Sequence, residues 1–433
     1  MKCTYACGTP AHRLSRRAML GQLAGMSAAS GTLAAGSLGV LARPAAARQL
    51  ASQQKRILVF DLLGGVSQLE SWDPKPRTDT GGPFRAIGTS VPGVHISELL
   101  PYTARQMHHL ALVRSINTKE NDHGRGHYIM DTGRPQEPAL EYPHLGAVAA
   151  RFLAPQDDPL PGYIRITPGG SGINQADAAF LGPRYAAVTL GNGQPPSNSV
   201  RPDSISDAGE AGRHRLRQQA SDRFALGRRT AQTEAYTFSY DQALELMQRR
   251  ELFDVARESE ADQQRYGSHD FGRHTLLARR LLEHGVTFVK VSHSNYDTHN
   301  ENFNFHIEQL GEFDRPFANI IEDLADRGML ESTLVLVISE FGRTPRINHL
   351  YGRDHWGTSW SICLGGCGIQ PGAVIGRTND NGTEVADREV NGGHLFHTYL
   401  RAVGLDPTHE YTVNGRPVPM ADPQAAAIEE LLT

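Results

Sequence analysis

The sequence predicts an α/β fold: a doubly wound, mostly parallel sheet flanked by helices. Six short apolar runs alternate with segments of helical periodicity, and each run is nearly continuous in apolar residues. Strands of that kind are buried on both faces, as they are in a parallel sheet between two layers of helices. In such sheets a ligand site lies beyond the carboxyl ends of the strands. The side chains that follow each strand are therefore the first place to look for a function.

The six predicted strands are 56–63, 110–116, 163–167, 286–292, 333–339 and 361–366. The predicted helices lie between them, in "YPHLGAVAARFLA", "YDQALELMQRRELFDVARE", "HTLLARRLLEHG" and "HIEQLGEFDRPFANIIEDLADRG". The last two helices end on Gly285 and Gly328, which are C-cap signals. Residues 190–212 are rich in Gly, Pro and Ser, so we expect a surface loop there.

Residues 1–47 are predicted to be an export signal. A basic start, a mildly apolar stretch of Gly, Ala and Ser, and a small-residue end are typical of a signal peptide. Arg16 and Arg17 fit the twin-arginine class, so we expect that pathway's machinery to deliver the chain to the periplasm or cell envelope. The alternative is a membrane anchor, although the stretch falls short of the roughly 18 apolar residues that a span needs. We expect residues 48–433 to form a single domain without a stable membrane span.

Charge and cysteine content argue against two classes of protein. Removing residues 1–47 takes away five basic residues and no acidic ones, so the formal net charge moves from −4 to −9. A nucleic-acid partner would demand a basic face, so none is expected. No Gly-rich dinucleotide motif or cysteine-based redox centre supports an oxidoreductase. Cys363 and Cys367 remain, either as a bonded pair or as two small residues at a strand end.

The stretch "SNYDTHNENFNFH" (294–306) follows the fourth predicted strand and is crowded with ligand-type side chains. Asp297 and His299 lie two residues apart, so an extended backbone points both to one side. A carboxylate oxygen and an imidazole nitrogen suit zinc, manganese or iron, and carboxylate-rich surroundings also admit calcium or magnesium. The stretch therefore predicts a divalent metal site. The alternative is a polar surface loop that caps a helix.

A second cluster lies in "NDHGRGHYIMDTGR" (121–134), where Asp122, His123 and His127 surround a predicted short helix that closes on Gly133. Amides and side chains at a helix start form a natural anion site. The alternative is an ordinary Asp N-cap with histidines that face solvent.

A third cluster lies in "EFGRTPRINHLYGRDHW" (340–356). Glu340 leaves a buried strand and is a candidate ligand or base. Arg343 and Arg353 can hold an anionic group bidentately, or they can belong to a structural salt-bridge network. Asp61, at the end of the first strand, is a further candidate ligand.

Seven motifs in this order resemble the exported bacterial family DUF1501 over essentially the whole mature chain: "GGVSQLESWDPKP", "GPFRAI", "VPGVHISELLP", "NDHGRGHYIMDTGRP", "YDTHNENF", "EFGRTPRIN" and "GRDHW". That family is grouped with the alkaline phosphatase-like superfamily, which includes sulfatases. The resemblance implies that fold and assigns Asp297, His299 and His355 as ligands of one divalent metal. It places Asp61 at the first ligand position of the superfamily, and Glu340 where the superfamily has an Asp-His pair. His123 falls near the position of the sulfatase nucleophile, so the usual Cys or Ser is missing.

The expected function is metal-dependent hydrolysis of phosphate or sulfate esters, with a small anionic ester or a sulfated or phosphorylated glycan as substrate. A bound metal would polarise the ester. Asp122 or His123 would complete the ligand set or act as a general base, and Arg343 would neutralise the anionic group. Arg353 and His127 are assigned to substrate binding. The alternative, which the missing nucleophile favours, is a non-catalytic envelope protein that binds such glycans.

Overall fold

The computed structural model describes residues 54–155, 160–169, 172–195, 201–226, 238, 240, 242 and 244–433. The chain divides into two units, residues 1–46 and 47–433, and every described residue belongs to the second unit. The predicted export signal, residues 1–47, lies outside the described residues. Within the described ranges no helix is both long enough and apolar enough to cross a bilayer.

A nine-stranded sheet forms the centre of the described unit. The strands, in chain order, are β1 (Arg56–Leu62), β2 (Ala86–Gly88), β3 (His95–Ser97), β4 (Leu110–Ile116), β5 (Tyr163–Thr167), β6 (Gly172–Asn174), β7 (Ala187–Gly191), β8 (Phe288–His293), β9 (Thr333–Ile338), β10 (Gly342–Arg343), β11 (His355–Trp356), β12 (Trp360–Gly366), β13 (Val374–Ile375), β14 (Arg377–Thr378), β15 (Val385–Asp387), β16 (Glu410–Val413) and β17 (Arg416–Pro419). The order in the sheet is β13-β4-β12-β9-β1-β8-β5-β7-β6, and the other strands form two-stranded pairs.

The α-helices are α1 (Pro101–Gln106), α2 (His123–Thr132), α3 (Leu145–Phe152), α4 (Asp207–Ala225), α5 (Glu260–Tyr266), α6 (Asp270–Glu283), α7 (Asn302–Asp326) and α8 (Gly392–Ala402). Three of the four predicted helices are confirmed as α3, α6 and α7. The fourth, predicted over 240–258, is helical at 244–248 and continues as short 3-10 turns. The loop predicted over 190–212 is wrong at its end, because α4 begins at Asp207, capped by Ser206.

The predicted doubly wound, mostly parallel α/β fold is confirmed. Around the centre, β1 pairs in parallel with β8 and β9, and β5 pairs in parallel with β7 and β8. One predicted strand differs in direction: β12 runs antiparallel to both β4 and β9. Because no crossover helix separates β9 from β12, the chain returns along the sheet in the opposite sense.

Alternate residues of β1 enter two different cores, which explains why the strand is apolar throughout. Leu58 and Phe60 belong to a core on one face of the sheet that includes side chains of α6 and α7. Ile57 and Val59 belong to a core on the other face that includes side chains of α3 and α8. The sheet is thus buried on both faces, as continuous apolar strands require.

The two cysteines are free thiols. Cys363 lies in β12 and Cys367 follows its end, and both are buried. Burial raises the pKa of each thiol. Of the two alternatives, the structure therefore supports the small buried residues and not the bonded pair.

Candidate metal centre

Three ligand-type side chains meet where the parallel strands end. Asp297 and His299 lie in the segment after β8, and His355 lies in β11, which pairs with β10 directly after β9. The Nε2 atoms of His299 and His355 are 3.0 Å apart, and each lies 3.1 Å from Oδ1 of Asp297. The sequence predicted this set as the ligands of one metal, and the structure brings its members together.

The other nitrogen of each imidazole is already occupied. The Nδ1–H of His299 donates to Oδ1 of Asp354 at 2.7 Å, and the Nδ1–H of His355 donates to the main-chain oxygen of Asn121 at 2.7 Å. Both acceptors lack a proton to give, so in the neutral rings Nε2 carries the lone pair. Two nitrogen lone pairs and a carboxylate oxygen therefore converge on one point. Partners of this kind fix the tautomer of metal-binding histidines.

The spacing of these three atoms fits a metal ion. Bonds of about 2.0–2.2 Å to nitrogen and oxygen place neighbouring ligand atoms about 3.0 Å apart in an octahedral site and about 3.4 Å apart in a tetrahedral one. The observed separations between Asp297, His299 and His355 are 3.0–3.1 Å. Three lone pairs at that distance repel each other unless a positive charge lies between them. The residues present therefore fit a divalent ion.

His123 extends the cluster from the start of α2. Its Nε2 lies 3.4 Å from Oδ2 of Asp297, and candidate ligand atoms of His123, Asp297 and His355 all lie within 4.8 Å of one another. Two overlapping sets of three thus share Asp297 and His355. The Nδ1–H of His123 donates to Oε1 of Glu340 at 2.6 Å, which raises the pKa of His123.

Glu340 orients this cluster from beneath it. The carboxylate is fully buried, and its Oε1 also accepts the main-chain N–H of Gly64 at 2.8 Å. Burial acts to raise the pKa of Glu340, but the hydrogen bond from His123 and the charges of His127 and His123 together lower that pKa. Predicted as a ligand, Glu340 reaches the cluster through His123.

The double glycine after β1 allows this close packing. Gly64 has φ +114, and a Cβ there would lie 2.4 Å from the main-chain nitrogen of Asp297. Only glycine tolerates both the positive φ and that contact. The turn "GG" therefore lies directly against the segment that carries Asp297.

Arg343 holds Asp297 in place. Its Nη2 donates to Oδ1 of Asp297 at 2.6 Å and to the carbonyl of Gly64, and its Nε donates to the carbonyl of Gly65 at 2.9 Å. Burial alone would raise the pKa of Asp297, but the hydrogen bond and charge of Arg343 lower it to about 2. Asp297 is therefore ionised and ready to bind a cation.

Both arginines predicted to contact the substrate are fully buried. The Nε and Nη2 atoms of Arg343 donate to Asp297 and the glycine turn, and its Nη1 donates to the carbonyl of Arg353 at 3.0 Å. Arg353 forms a bidentate pair with the buried Glu70 at 3.0 and 2.8 Å. Neither guanidinium can reach a substrate. The structural alternative is correct for Arg353, and Arg343 acts on the site through Asp297.

Asp61 lies beneath the cluster and is engaged elsewhere. Its Oδ2 pairs with the buried Nζ of Lys290 at 2.9 Å, and Lys290 also donates to Asp131 at 2.8 Å. His127 lies between Asp61 and Glu340: its Nδ1 is 4.0 Å from Oδ1 of Asp61, and its Nε2 is 3.6 Å from Oε1 of Glu340. Asp61 is therefore outside the set of ligand atoms, because an internal lysine neutralises it. His127 lines the same layer and does not face the cluster directly.

Asp122 is the N-cap of α2, and its Oδ1 accepts the main-chain N–H of Arg125 at 3.0 Å. That bond lowers the pKa of Asp122. The structure thus shows the Asp cap of the alternative but not its solvent-facing histidines, since His123 and His127 lie near Glu340. The predicted helix closes on Gly133 with φ 73. Asp122 stands at the rim, where it borders His123.

The sequence did not predict two supports of the cluster. Phe341 packs against the rings of His123 and His355, with centroids 4.9 and 4.5 Å apart. The carbonyl of Asn121 orients His355. The position of Phe341 directly after the candidate ligand Glu340 was a weak sequence signal for its role. The carbonyl of Asn121 gave no signal, because a main-chain acceptor does not depend on the residue type.

The fold and the site together define an α/β protein with an Asp–His cluster at the carboxyl edge of a mostly parallel sheet. The chain belongs to the family described as "Protein of unknown function (DUF1501)", whose model matches residues 54–432. The membership predicted from the seven motifs is therefore confirmed.

Solved structures to which the chain is similar include a protein in the alkaline phosphatase superfamily from Vibrio parahaemolyticus (10% identity, 81% of this chain and 67% of that chain covered, TM-score 0.35). Others are the sulfatase PsFucS1 from Pseudoalteromonas sp. (13%, 85% and 72%, 0.37) and the phosphonate monoester hydrolase SpPMH from Silicibacter pomeroyi (11%, 84% and 75%, 0.38). At such identities and TM-scores these likenesses carry no information about the reaction. No curated protein matches the chain in sequence.

Proposed function

We propose that this protein is a metal-dependent hydrolase of phosphate or sulfate esters. The observation that carries the proposal is the convergence of three lone pairs, from Asp297, His299 and His355, at separations of 3.0–3.1 Å. Three protein ligands with open positions are the arrangement of a catalytic metal site, because substrate or water takes the remaining positions. The set lies at the edge of the sheet where α/β folds bind ligands.

When bound, a divalent ion would supply Lewis-acid activation of the ester and of water. The chain's own residues do the rest. Asp297 is held ionised by Arg343, and Asp354 and the carbonyl of Asn121 hold His299 and His355 in the tautomer that a cation needs. His123 is the next imidazole, and its Nε2 lies 3.4 Å from Oδ2 of Asp297. It is the group best placed to attack or to accept a proton.

The donor set favours some metals over others. Two imidazole nitrogens and one carboxylate suit zinc and manganese, whereas calcium and magnesium prefer oxygen ligands. Calcium bonds of 2.3–2.6 Å would also need a wider spacing than the one between His299 and His355. Zinc or manganese is therefore the proposed ion.

The anion would meet a positive charge at the rim, since both central arginines are buried. Lys119 is exposed in the turn between β4 and α2, and within the described part of the chain no carboxylate pairs with its ammonium. The turn is held firmly, because the N–H groups of Thr118 and Lys119 both donate to the carbonyl of Gly357. A fixed, unpaired cation beside a metal site suits an anionic ester.

The test is hydrolysis of a panel of aryl phosphates, aryl sulfates and sulfated or phosphorylated glycans, with zinc, manganese, calcium or magnesium added. Turnover with zinc or manganese is expected, and Asp297→Asn should lower it at least ~100-fold, the upper end of what lost support of a metal ligand costs. Asp380→Asn, the same change at an exposed turn, is the matched control. Binding of anionic glycans without turnover would favour the non-catalytic envelope protein, the second candidate.

Export by the twin-arginine machinery to the periplasm or cell envelope is part of the same proposal. Its support is the sequence of residues 1–47, with Arg16 and Arg17 after a basic start. Replacing both arginines by lysine should leave the protein in the cytoplasm of a host with this pathway. Unchanged export would contradict the assignment.

A further inference from the structure

Among the described residues, three hydroxyl groups in the segments that carry the cluster are engaged in bonds inside the protein. Thr298 donates to Asn302 at 2.6 Å, and Ser339 donates to the carbonyl of Leu62 at 2.6 Å. Thr344 donates to the carbonyl of Arg346 at 2.9 Å. Ser67, which follows the glycine turn, is fully buried. A side-chain nucleophile at this cluster would therefore be of another chemical kind.

We propose that His123 is a nucleophile that accepts the phosphoryl group of a phosphate ester on its Nε2. This inference rests on the proposed function and narrows its substrate class to phosphate esters. The metal set of Asp297, His299 and His355 is complete without His123, whose Nε2 stands farther from the carboxylate, at 3.4 Å.

The orientation of His123 leaves a nucleophilic nitrogen at the open side. Its Nδ1–H donates to the buried carboxylate of Glu340 at 2.6 Å, so in the neutral ring the lone pair lies on Nε2. A carboxylate behind an imidazole also makes the other nitrogen more electron-rich. Phe341 and His355 pack against the ring with centroids 4.9 and 4.5 Å away, which fixes its plane. The side chain remains 38% exposed, so a substrate can reach it.

The two glycines of "HGRGH" fit this role. Gly126 lies against Glu340, and a Cβ there would stand 2.8 Å from the main-chain oxygen of Glu340. This close approach brings the first turn of α2 onto the residue that holds His123. At Gly124 a Cβ would meet only the Asp122 carboxylate, at 3.4 Å, so the surface beside His123 stays open.

An open cavity of about 540 Å³ borders His123 and is also lined by Lys119, Glu120, Asn121, Asp122, Arg125 and His355. Its size suits a small ester. Lys119 lies on the wall of this cavity, where its ammonium could pair with phosphoryl oxygens. Arg125 is tied to Glu120 at 3.0 Å, so Lys119 carries the free positive charge of the rim.

The chemistry balances in two displacements. In the first, the Nε2 lone pair forms a bond to phosphorus, the ester P–O bond breaks, and the departing alkoxide takes a proton from water. In the second, water attacks the phosphorus and loses a proton to solvent, the P–N bond breaks, and its electron pair returns to Nε2. The net reaction converts ester and water into alcohol and phosphate.

The full chain is incubated with phosphoramidate, a small phosphoryl donor, with and without zinc or manganese, and is then analysed by intact and tandem mass spectrometry. We expect one phosphoryl group on His123, stable to alkali and labile to acid. His123→Gln should lose the label, and His349→Gln, a change of an exposed histidine, should keep it. Circular dichroism checks that each variant is folded.

Adding imidazole to His123→Gly distinguishes a nucleophilic role of His123 from a structural one. If His123 is the nucleophile, free imidazole fills the space and leaves as N-phosphoimidazole, which ³¹P NMR detects. Ester hydrolysis without label on wild-type His123, or a label on another residue, overturns the inference and leaves the proposed function intact. Absence of both label and hydrolysis overturns both, and label without turnover of esters supports His123 while contradicting the hydrolase.

Discussion

Asp354 offers the sharpest prediction about how the cluster is held together. Its Oδ1 accepts the Nδ1–H of His299 at 2.7 Å, and it has no contact with the converging ligand atoms. That bond lowers the pKa of Asp354, so the acceptor is a carboxylate at neutral pH. Asp354→Ala removes the acceptor and frees the ring of His299 to turn or to change tautomer.

The expected loss follows from this geometry. Removing the partner of a metal-binding histidine typically lowers metal affinity ~10–100-fold, which corresponds to about 1.4–2.7 kcal/mol. Asp354→Asn keeps an oxygen acceptor and loses only the charge, and the side chain is 56% exposed, so solvent screens that charge. We therefore expect Asp354→Asn to lower the metal affinity by about tenfold or less, and Asp354→Ala to lower it further.

The assay is a titration of the chelator-treated protein with zinc or manganese by calorimetry, with Asp380→Asn and Asp380→Ala as matched controls. His355 is oriented by a main-chain carbonyl, so no side-chain change imitates this effect there. Wild-type affinity in Asp354→Ala, combined with loss of binding in Asp297→Ala, would show that His299 is not a ligand and would refute the reasoning.

Three further predictions concern stability. Arg353→Met leaves the fully buried Glu70 without its bidentate partner, so it should lower the free energy of unfolding by about 3–5 kcal/mol, measured by urea denaturation. A small loss would mean that water or another cation replaces the guanidinium. Gly126→Ala places a Cβ 2.8 Å from the main-chain oxygen of Glu340, so it should lower the free energy of unfolding by about 1–3 kcal/mol, measured by thermal unfolding. An unchanged Tm would contradict the close packing of α2 against Glu340. Burial lowers the pKa of His306 from 6.5 to about 4, so the unfolded chain binds this proton first and stability falls by up to ~3 kcal/mol as pH drops from about 6.5 to about 4. His306→Gln should flatten that part of the stability profile, and an unchanged slope would exclude His306 as its source.

Continuous apolar strands made the fold predictable. A parallel strand that is buried on both faces has a continuous apolar sequence at any position in the sheet, so β1, β8 and β9 could be predicted from the sequence. The direction of β12 could not, because an apolar run is equally suitable for either direction. Only the absence of a crossover helix after β9 decided it.

The site was predictable as far as strand exits determine it. Asp297 and His299 follow β8, and His355 lies in the segment between β9 and β12, yet the carboxyl edge of the sheet brings the three together as expected. The arginines show the limit of this reasoning. Arg343 and Arg353 have the chemistry to hold an anion, but their burial depends on Asp297 and Glu70, whose positions the sequence does not give.

Asp61 lies apart from the converging ligand atoms for a similar reason. Its place at a strand end was correct, and Lys290 on the adjacent strand takes its charge. In the sequence Lys290 stands within an apolar run, where a single lysine gives no hint of its partner. Charge pairs across neighbouring strands thus escape a reading that follows one strand at a time.

The central claim is that Asp297, His299 and His355 bind one divalent ion. The most direct measurement is anomalous scattering from crystals grown with zinc or manganese, recorded on both sides of the metal absorption edge. A single peak bonded to Oδ1 of Asp297 and to Nε2 of both histidines is the predicted result. Protein crystallised with excess metal that shows no peak between these three side chains would contradict the account.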